Sequence, residues 1–332
     1  MKFRLLLSIV CFSSIILSEG KSQNISSKTY LNSLTSAYGY IEGQLTALKL
    51  IGKDVPKYAT KAFTLWYSFN TNFGAIRDSI EVFMIKAMGV KLIDSMKENM
   101  SETLKSLGSR FTYDEISAQS KIVEVEDALN WKIPSQFLQP ILSVKYYHTP
   151  YREFLDNHTQ LFKTKGHPKS KGSDWQIRIP LSWISSEGER PNIIQKFLPQ
   201  SENGLVSISI LVKSLELPAG MKFSKKEVEE FFTEKEAKGM VPDGGKFLSF
   251  KKMVFDGING GLLISEQEIT RLDNRFNIRM HSFFFYWKEQ FYYINCSIGS
   301  ISENSSITLL AEKYMPLFRL VANSIVVNSK YE

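Results

Sequence analysis

The residues best equipped for chemistry lie between Gly166 and Phe197. His167 and Lys169 sit in a Gly-His-Pro-Lys run, Glu187, Glu189 and Arg190 in a Glu-Gly-Glu-Arg-Pro run, with Trp175 and Trp183 between them. A histidine titrates near neutral pH, and two carboxylates can divide acid and base roles. Lys169 and Arg190 can hold an anion, and the indoles offer flat apolar faces. One use of this set is a hydrolytic enzyme working with Glu187 or Glu189 and His167. Another is a binding patch made of His167, Lys169, Trp183, Glu187, Glu189 and Arg190. A third is structural: Pro168 and Pro191 set the loop backbone, Trp183 plugs a sheet end, and Arg190 pairs with Glu187 or another acid. Geometry separates these uses. Convergence in a cleft with one buried carboxyl favours catalysis; ion pairs with Lys169 or Arg190, or exposure to solvent, remove it.

Other reactive residues fall into no recognised pattern. The four histidines, His148, His158, His167 and His281, form no His-Glu-x-x-His and no pair at i, i+4, and no cysteine pair is available for zinc. Neither a metal nor a cofactor is expected. Gly257-x-x-Gly-Gly261 lacks the Lys-Ser/Thr and helix of a phosphate loop and reads as a hairpin turn. There is no Gly-x-Ser-x-Gly elbow. Cys296 with His281 on a partner strand would be a nucleophile and base. Cys296 alternates with Tyr292, Ile294 and Ile298, however, which marks a buried thiol.

The elements that must position these residues change period along the chain. From Ser27 to about Lys165 the spacing is helical, with a stripe of Leu31, Leu34, Tyr38, Ile41, Leu45 and Leu48 in the first helix. Asp54-Val-Pro56 starts the next helix, which carries Phe63, Trp66 and Tyr67, and Gly89 ends the stretch through Ile76, Ile80 and Met84. Gly39 and Gly43 are spaced for a close helix contact. Thr112-Tyr-Asp-Glu115 reads as a capping box ahead of Ile116, Val123 and Leu129. Ile133-Pro134 and Thr149-Pro150 open two more helices, six or seven in all.

From Asp174 the period is two. Ile177 and Ile179 make one strand, Ile193 to Leu198 a second, and Val206, Ile208, Ile210 and Val212 the clearest one. Ser224-Lys-Lys-Glu227 caps a helix, followed by strands near 246–255 and 260–269. A hairpin of 279–287 and 291–298 turns across Lys288-Glu289-Gln290. The last helix carries Leu310, Tyr314, Leu317 and Val321 on one face and a kinking Pro316. The order is three strands, a helix, four strands and a helix, which predicts an α+β fold: an all-helical domain at 24–165, then an antiparallel sheet with two helices at 170–328.

Residues 1–20 read as a secretion signal, with Lys2 and Arg4 ahead of an apolar run from Leu5 to Leu17. That run is about 13 residues, short of the roughly 20 a membrane-spanning helix needs. Removal of this segment would leave Cys296 as the single cysteine and no disulfide. The reading is an exported protein, periplasmic or secreted, of a bacterial envelope. The formal charge is +7, with lysines spread along the chain, so no nucleic-acid partner is expected.

The second half resembles the PsbP-like fold family, which includes the photosystem II extrinsic subunit and the DcrB-type bacterial lipoproteins. The likeness rests on the strand ending Ile179-Pro180-Leu-Ser-Trp183, the strands that follow it, the Ser224 helix and the final helix ending Ala322-Asn-Ser-Ile325. The whole chain also resembles a group of uncharacterised exported bacterial proteins that carry Gly-His-Pro-Lys and Glu-Gly-x-Arg-Pro before such a domain. The resemblance implies binding or assembly rather than chemistry. The expected function is a non-catalytic exported factor that binds a protein or small ligand through the sheet domain. The alternatives are the hydrolytic enzyme above and a surface or membrane-docking factor, which would show a large exposed apolar patch.

Overall fold

The computed structural model describes residues 21–110, 112–202, 204–214, 223–271, 274–300 and 307–332. The expected secretion signal lies outside them. Two units emerge, Asn24–Tyr147 and, among the described residues, 21–23 with His148–Glu332.

The first unit is all-helical: α1 (Lys21–Asp54), α2 (Ala59–Met88), α3 (Val90–Arg110), α4 (Glu115–Leu129) and α5 (Ser135–Lys145). The α1 stripe is buried as its spacing requires, with Leu34, Ile41 and Leu48 at 1% exposure or less. Gly89 adopts φ 85 and its N–H bonds the Ile85 carbonyl, which ends α2. Two expected faces are wrong. In the first half of α2 the buried residues are Ala62, Leu65, Phe69 and Phe73, while Phe63 and Tyr67 are mostly exposed; Ile76, Ile80 and Met84 further along are buried as expected. On α4 they are Ala118, Ile122, Val125 and Ala128, while Ile116 and Val123 face outward. The α4 cap also differs from the expected one. Asp114, not Thr112, is the N-cap: its carboxylate takes the Ser117 N–H and Ser117 answers with its hydroxyl. A short acid at the cap competes well with threonine for the same orphan N–H groups.

The second unit opens with α6 (Pro150–Leu155) and β1 (Thr159–Lys163), inside the span expected to be helical. Thr159-Gln-Leu-Phe-Lys is too short for its alternation to stand out, and its pairing with β2 (Gln176–Pro180) makes it a strand. Five strands therefore precede the next helices: β3 (Trp183–Glu187), β4 (Ile193–Pro199) and β5 (Val206–Ser214) follow. Two short helices replace the expected one, α7 (Lys225–Phe231) and α8 (Glu234–Gly239). Then come β6 (Lys246–Phe255), β7 (Ile258–Arg271), β8 (Asn274–Trp287), β9 (Gln290–Ser300) and α9 (Ile307–Asn323). Seven strands form one antiparallel sheet in the order β3-β4-β5-β9-β8-β7-β6.

Both faces of its centre are buried. One face carries Val206, Ile208, Ile210, Ile294 and Phe285, covered by α9 and by Trp175, Ile177 and Ile179 from the β1–β2 pair. The other carries Leu211, Leu263, Phe284 and Tyr293 beneath Phe232, Ala237 and Met240 of the α7–α8 segment. The Ser224 capping box forms as expected. Helix α9 continues through Pro316 and buries Tyr314, Leu317 and Val321.

Two hairpins use two-residue turns with both residues left-handed, Asp256-Gly257 and Lys288-Glu289, the geometry that suits sheet twist. Gly260 and Gly261 are not part of the first turn, contrary to the sequence reading. They lie in β7, where a Cβ on Gly261 would fall inside the Phe250 ring and one on Gly260 would strike the Phe284 carbonyl. Gly261→Ala is therefore expected to destabilise the chain by about 1–3 kcal/mol. Urea denaturation reads this directly, and an unchanged midpoint would refute the contact.

Candidate functional site

The Gly166–Phe197 stretch folds as a turn, the strand β2, a tight corner, the edge strand β3 and a return loop into β4. His167 caps a short 3-10 turn at Pro168–Ser170, its Nδ1 accepting the Lys169 N–H at 3.2 Å. The Lys169 ammonium then crosses to the return loop, where it meets the Gly188 carbonyl and pairs with Glu187 at 3.1 Å. Lys171 reaches the Asn192 side-chain oxygen at 2.8 Å. Two lysines of one turn thus fasten the 187–192 loop. Gly188 is required there, since a Cβ would collide with the Ile193 carbonyl and side chain.

This geometry changes the roles of the expected site residues. Glu187 is 74% exposed and ion-paired to Lys169, and Glu189 is exposed. Neither is the buried carboxyl that acid–base work in a cleft would need. Arg190 forms no ion pair among the described residues, because Lys169 takes its expected partner. Trp183 is 2% exposed and stands edge-on to Tyr314, 6.2 Å away, so it cannot meet a partner directly. Trp175 is wholly buried against Phe285 and Tyr292. Both indoles fill the core, because alternation from Trp175 points it to the α9 face with Ile177 and Ile179. His281 and Cys296 are opposed on β8 and β9, yet both are buried. Burial raises the Cys296 thiol well above its usual range, and burial with Arg279 nearby lowers His281 to about 4. A neutral thiol under a helix is no nucleophile. Among the described residues no three His, Cys, Asp or Glu side chains gather as a metal set.

Two features were missed. The first is Glu153 on α6, 2% exposed, whose carboxylate accepts the Ser182 N–H and hydroxyl, each at 2.7 Å. It clasps the Leu181-Ser182 corner between β2 and β3. Only a contact 29 residues apart reveals it, and no local pattern signals that. The second is a row across the sheet face opposite α9: Lys196, Ser209, Asn295 and Ser282 stand in register on β4, β5, β9 and β8. Ser209, Asn295 and Ser282 are each 2% exposed or less. Among the described residues, neither the nitrogen nor the oxygen of the Asn295 amide has a hydrogen-bond partner. Burial lowers the Lys196 ammonium below its usual value, offset in part by Glu189, which links the row to the return loop. Polar residues alternating with apolar ones ordinarily mean a solvated face, and these do not.

The strand order and the two covered faces define an α+β sheet domain that follows a separate helical unit. No family model and no curated protein matches the chain. Among solved structures it is similar to cyanobacterial PsbP from Synechocystis, with 12% identity and a TM-score of 0.30 over 51% of this chain and 92% of that one. It is also similar to LpqN, involved in cell envelope biogenesis of Mycobacterium tuberculosis, with 11% identity and a TM-score of 0.30 over 54% of this chain and 96% of that one. Among the described residues no helix is long and apolar enough to cross a membrane.

Burial lifts the Glu153 carboxyl from 4.5 to about 7, against the bonds from Ser182 and Leu181 that favour ionisation. The native state keeps this proton to higher pH than the unfolded chain does. Its contribution to stability is complete below pH 4.5 and is lost as pH rises through 7. His281 runs the opposite way, its contribution present above 6.5 and lost as pH falls toward 4. The two mask each other in the wild type. Glu153→Gln keeps an oxygen for the Ser182 N–H and has no proton to lose. Relative to wild type, the variant is expected to gain about 3 kcal/mol between pH 4.5 and pH 7. Urea unfolding across that range measures the difference, and a flat difference would contradict the burial account.

Proposed function

We propose that the chain is an exported, non-catalytic protein that binds a partner through its sheet unit, at the exposed return loop of Glu187 and Glu189 and the half-buried Lys196 that the loop leads into. The observation behind this reading is the Lys196 ammonium, desolvated, in no ion pair among the described residues and facing only the charge of Glu189. Leaving a buried polar group unmet costs about 1–3 kcal/mol, and an apolar residue of similar size would avoid that cost. A desolvated lysine at the foot of an exposed loop is better explained by a partner that offers it an acceptor, as a peptide carbonyl or carboxylate does. Glu187, Glu189 and Arg190 of the expected patch serve as the rim. Catalysis by Glu187 or Glu189 with His167 has no support from this geometry.

The reading separates stability from binding. Asn295→Leu is expected to raise unfolding stability by about 1–2 kcal/mol by removing unmet polar atoms. Lys196→Met should lose capture of the partner from a native envelope extract, Glu187→Ala/Arg190→Ala should weaken it, and Asn295→Leu, buried beneath the sheet cover, should leave it unchanged. Equal capture by wild type and Lys196→Met would overturn the proposal. A marked loss of stability in Asn295→Leu would mean that the amide already has a structural partner.

A further inference from the structure

The helical unit holds a cavity of about 460 Å³ whose lining includes Gly39, Tyr40, Gly43 and Gln44 of α1, Glu124 of α4 and Phe137 of α5. That volume is in the range of small-molecule sites, which run from about 300 to 1,000 Å³. The two glycines were candidates for a close helix contact, and the structure assigns them otherwise. Among the described residues no atom lies within 4 Å of where a Gly43 Cβ would stand, and for Gly39 only the Met100 sulfur comes as near as 3.9 Å. Glycine inside a helix costs about 1 kcal/mol each relative to alanine. Here that cost leaves open space, not a helix packed close.

The cavity has an aromatic wall and a polar end. Tyr40 and Phe137 stack with centroids 4.7 Å apart and planes 18° from parallel. At the polar end Gln44, 2% exposed, donates its Nε2 to Glu124 at 2.7 Å, and Lys121 pairs with the same carboxylate oxygen at 2.9 Å. That donation fixes which way the Gln44 amide points. Its carbonyl oxygen is left buried and without a hydrogen bond among the described residues. The Gln44 side chain also hydrogen-bonds the Tyr40 hydroxyl in the sense that favours the ionised phenol, so the amide donates there too and its oxygen stays unmet. Glu124 and Lys121 cancel in charge, so the end is neutral overall and rich in acceptors.

We propose that this cavity binds a small neutral aromatic molecule carrying one N–H or O–H donor, with the ring against the Tyr40–Phe137 wall and the donor on the Gln44 carbonyl. An acceptor-only or anionic ligand would leave Gln44 unmet and face the Glu124 carboxylate. The site is independent of the one proposed at Lys196, and neither depends on the other.

Indole and benzofuran make the test, since they share a shape and differ in the N–H. Titrated into the full chain and followed by calorimetry, indole should bind roughly tenfold more tightly than benzofuran. Gln44→Leu should bring the two to equal affinity. Gly43→Met, for which the backbone has room, should fill the cavity and abolish binding of both while circular dichroism stays unchanged. Three results would overturn the proposal: no indole binding by the wild type, binding that survives Gly43→Met, or equal affinity of the wild type for the two probes.

Discussion

A sheet buried on both faces must be covered twice, and most of this molecule answers that need. Strand β5 is buried from Val206 to Val212, so it has no solvent side at all. Its apolar side chains meet α9 and the β1–β2 pair on one face, while Leu211 meets the α7–α8 cover on the other. The cover on the α9 face depends in turn on a corner. Leu181-Ser182 must turn sharply to send the chain from the two-stranded pair into the main sheet, and its polar groups are buried as it does so. Glu153 supplies the acceptors. Its own burial is costly for a charge, and the group responds by holding its proton to near neutral pH.

Much of the sheet unit was legible because its signals are local. The Val206–Val212 alternation, the Ser224 box and the Leu317–Val321 face each need fewer than a dozen residues to declare themselves. What failed was short or non-local. Strands β1 and β3 have five residues each and lie in a side pair and at a sheet edge, where burial is uneven. Alternation over so few positions does not stand out from helix-compatible sequence. The α2 and α4 faces failed for a different reason: large apolar residues outside the core, such as Phe63 and Ile116, outweighed the smaller alanines inside it.

The candidate site was legible in part. The sequence brought His167, Lys169, Glu187 and Glu189 to attention, and Lys169 does join the first turn to the loop that holds Glu187. Its meaning was not legible, because an ion pair and an acid–base pair use the same residues. The Asn295 row escaped notice because polar alternation conveys which face a residue takes but not whether that face is wet. Lys196 lies inside the stretch that first drew attention, on the strand just beyond its loop. The interest of that stretch therefore shifts from its exposed acids to the lysine they lead into.

The claim on which this account rests is that α6 and the β1–β2 pair belong to the sheet unit, held by Glu153 and by pairing of β1 with β2. Expressing residues 148–332 and residues 166–332 as separate chains tests it most directly. The longer chain should unfold cooperatively with native near-ultraviolet circular dichroism, and the shorter one, lacking the clasp and β1, should not. Equal, cooperative unfolding of both would contradict the account.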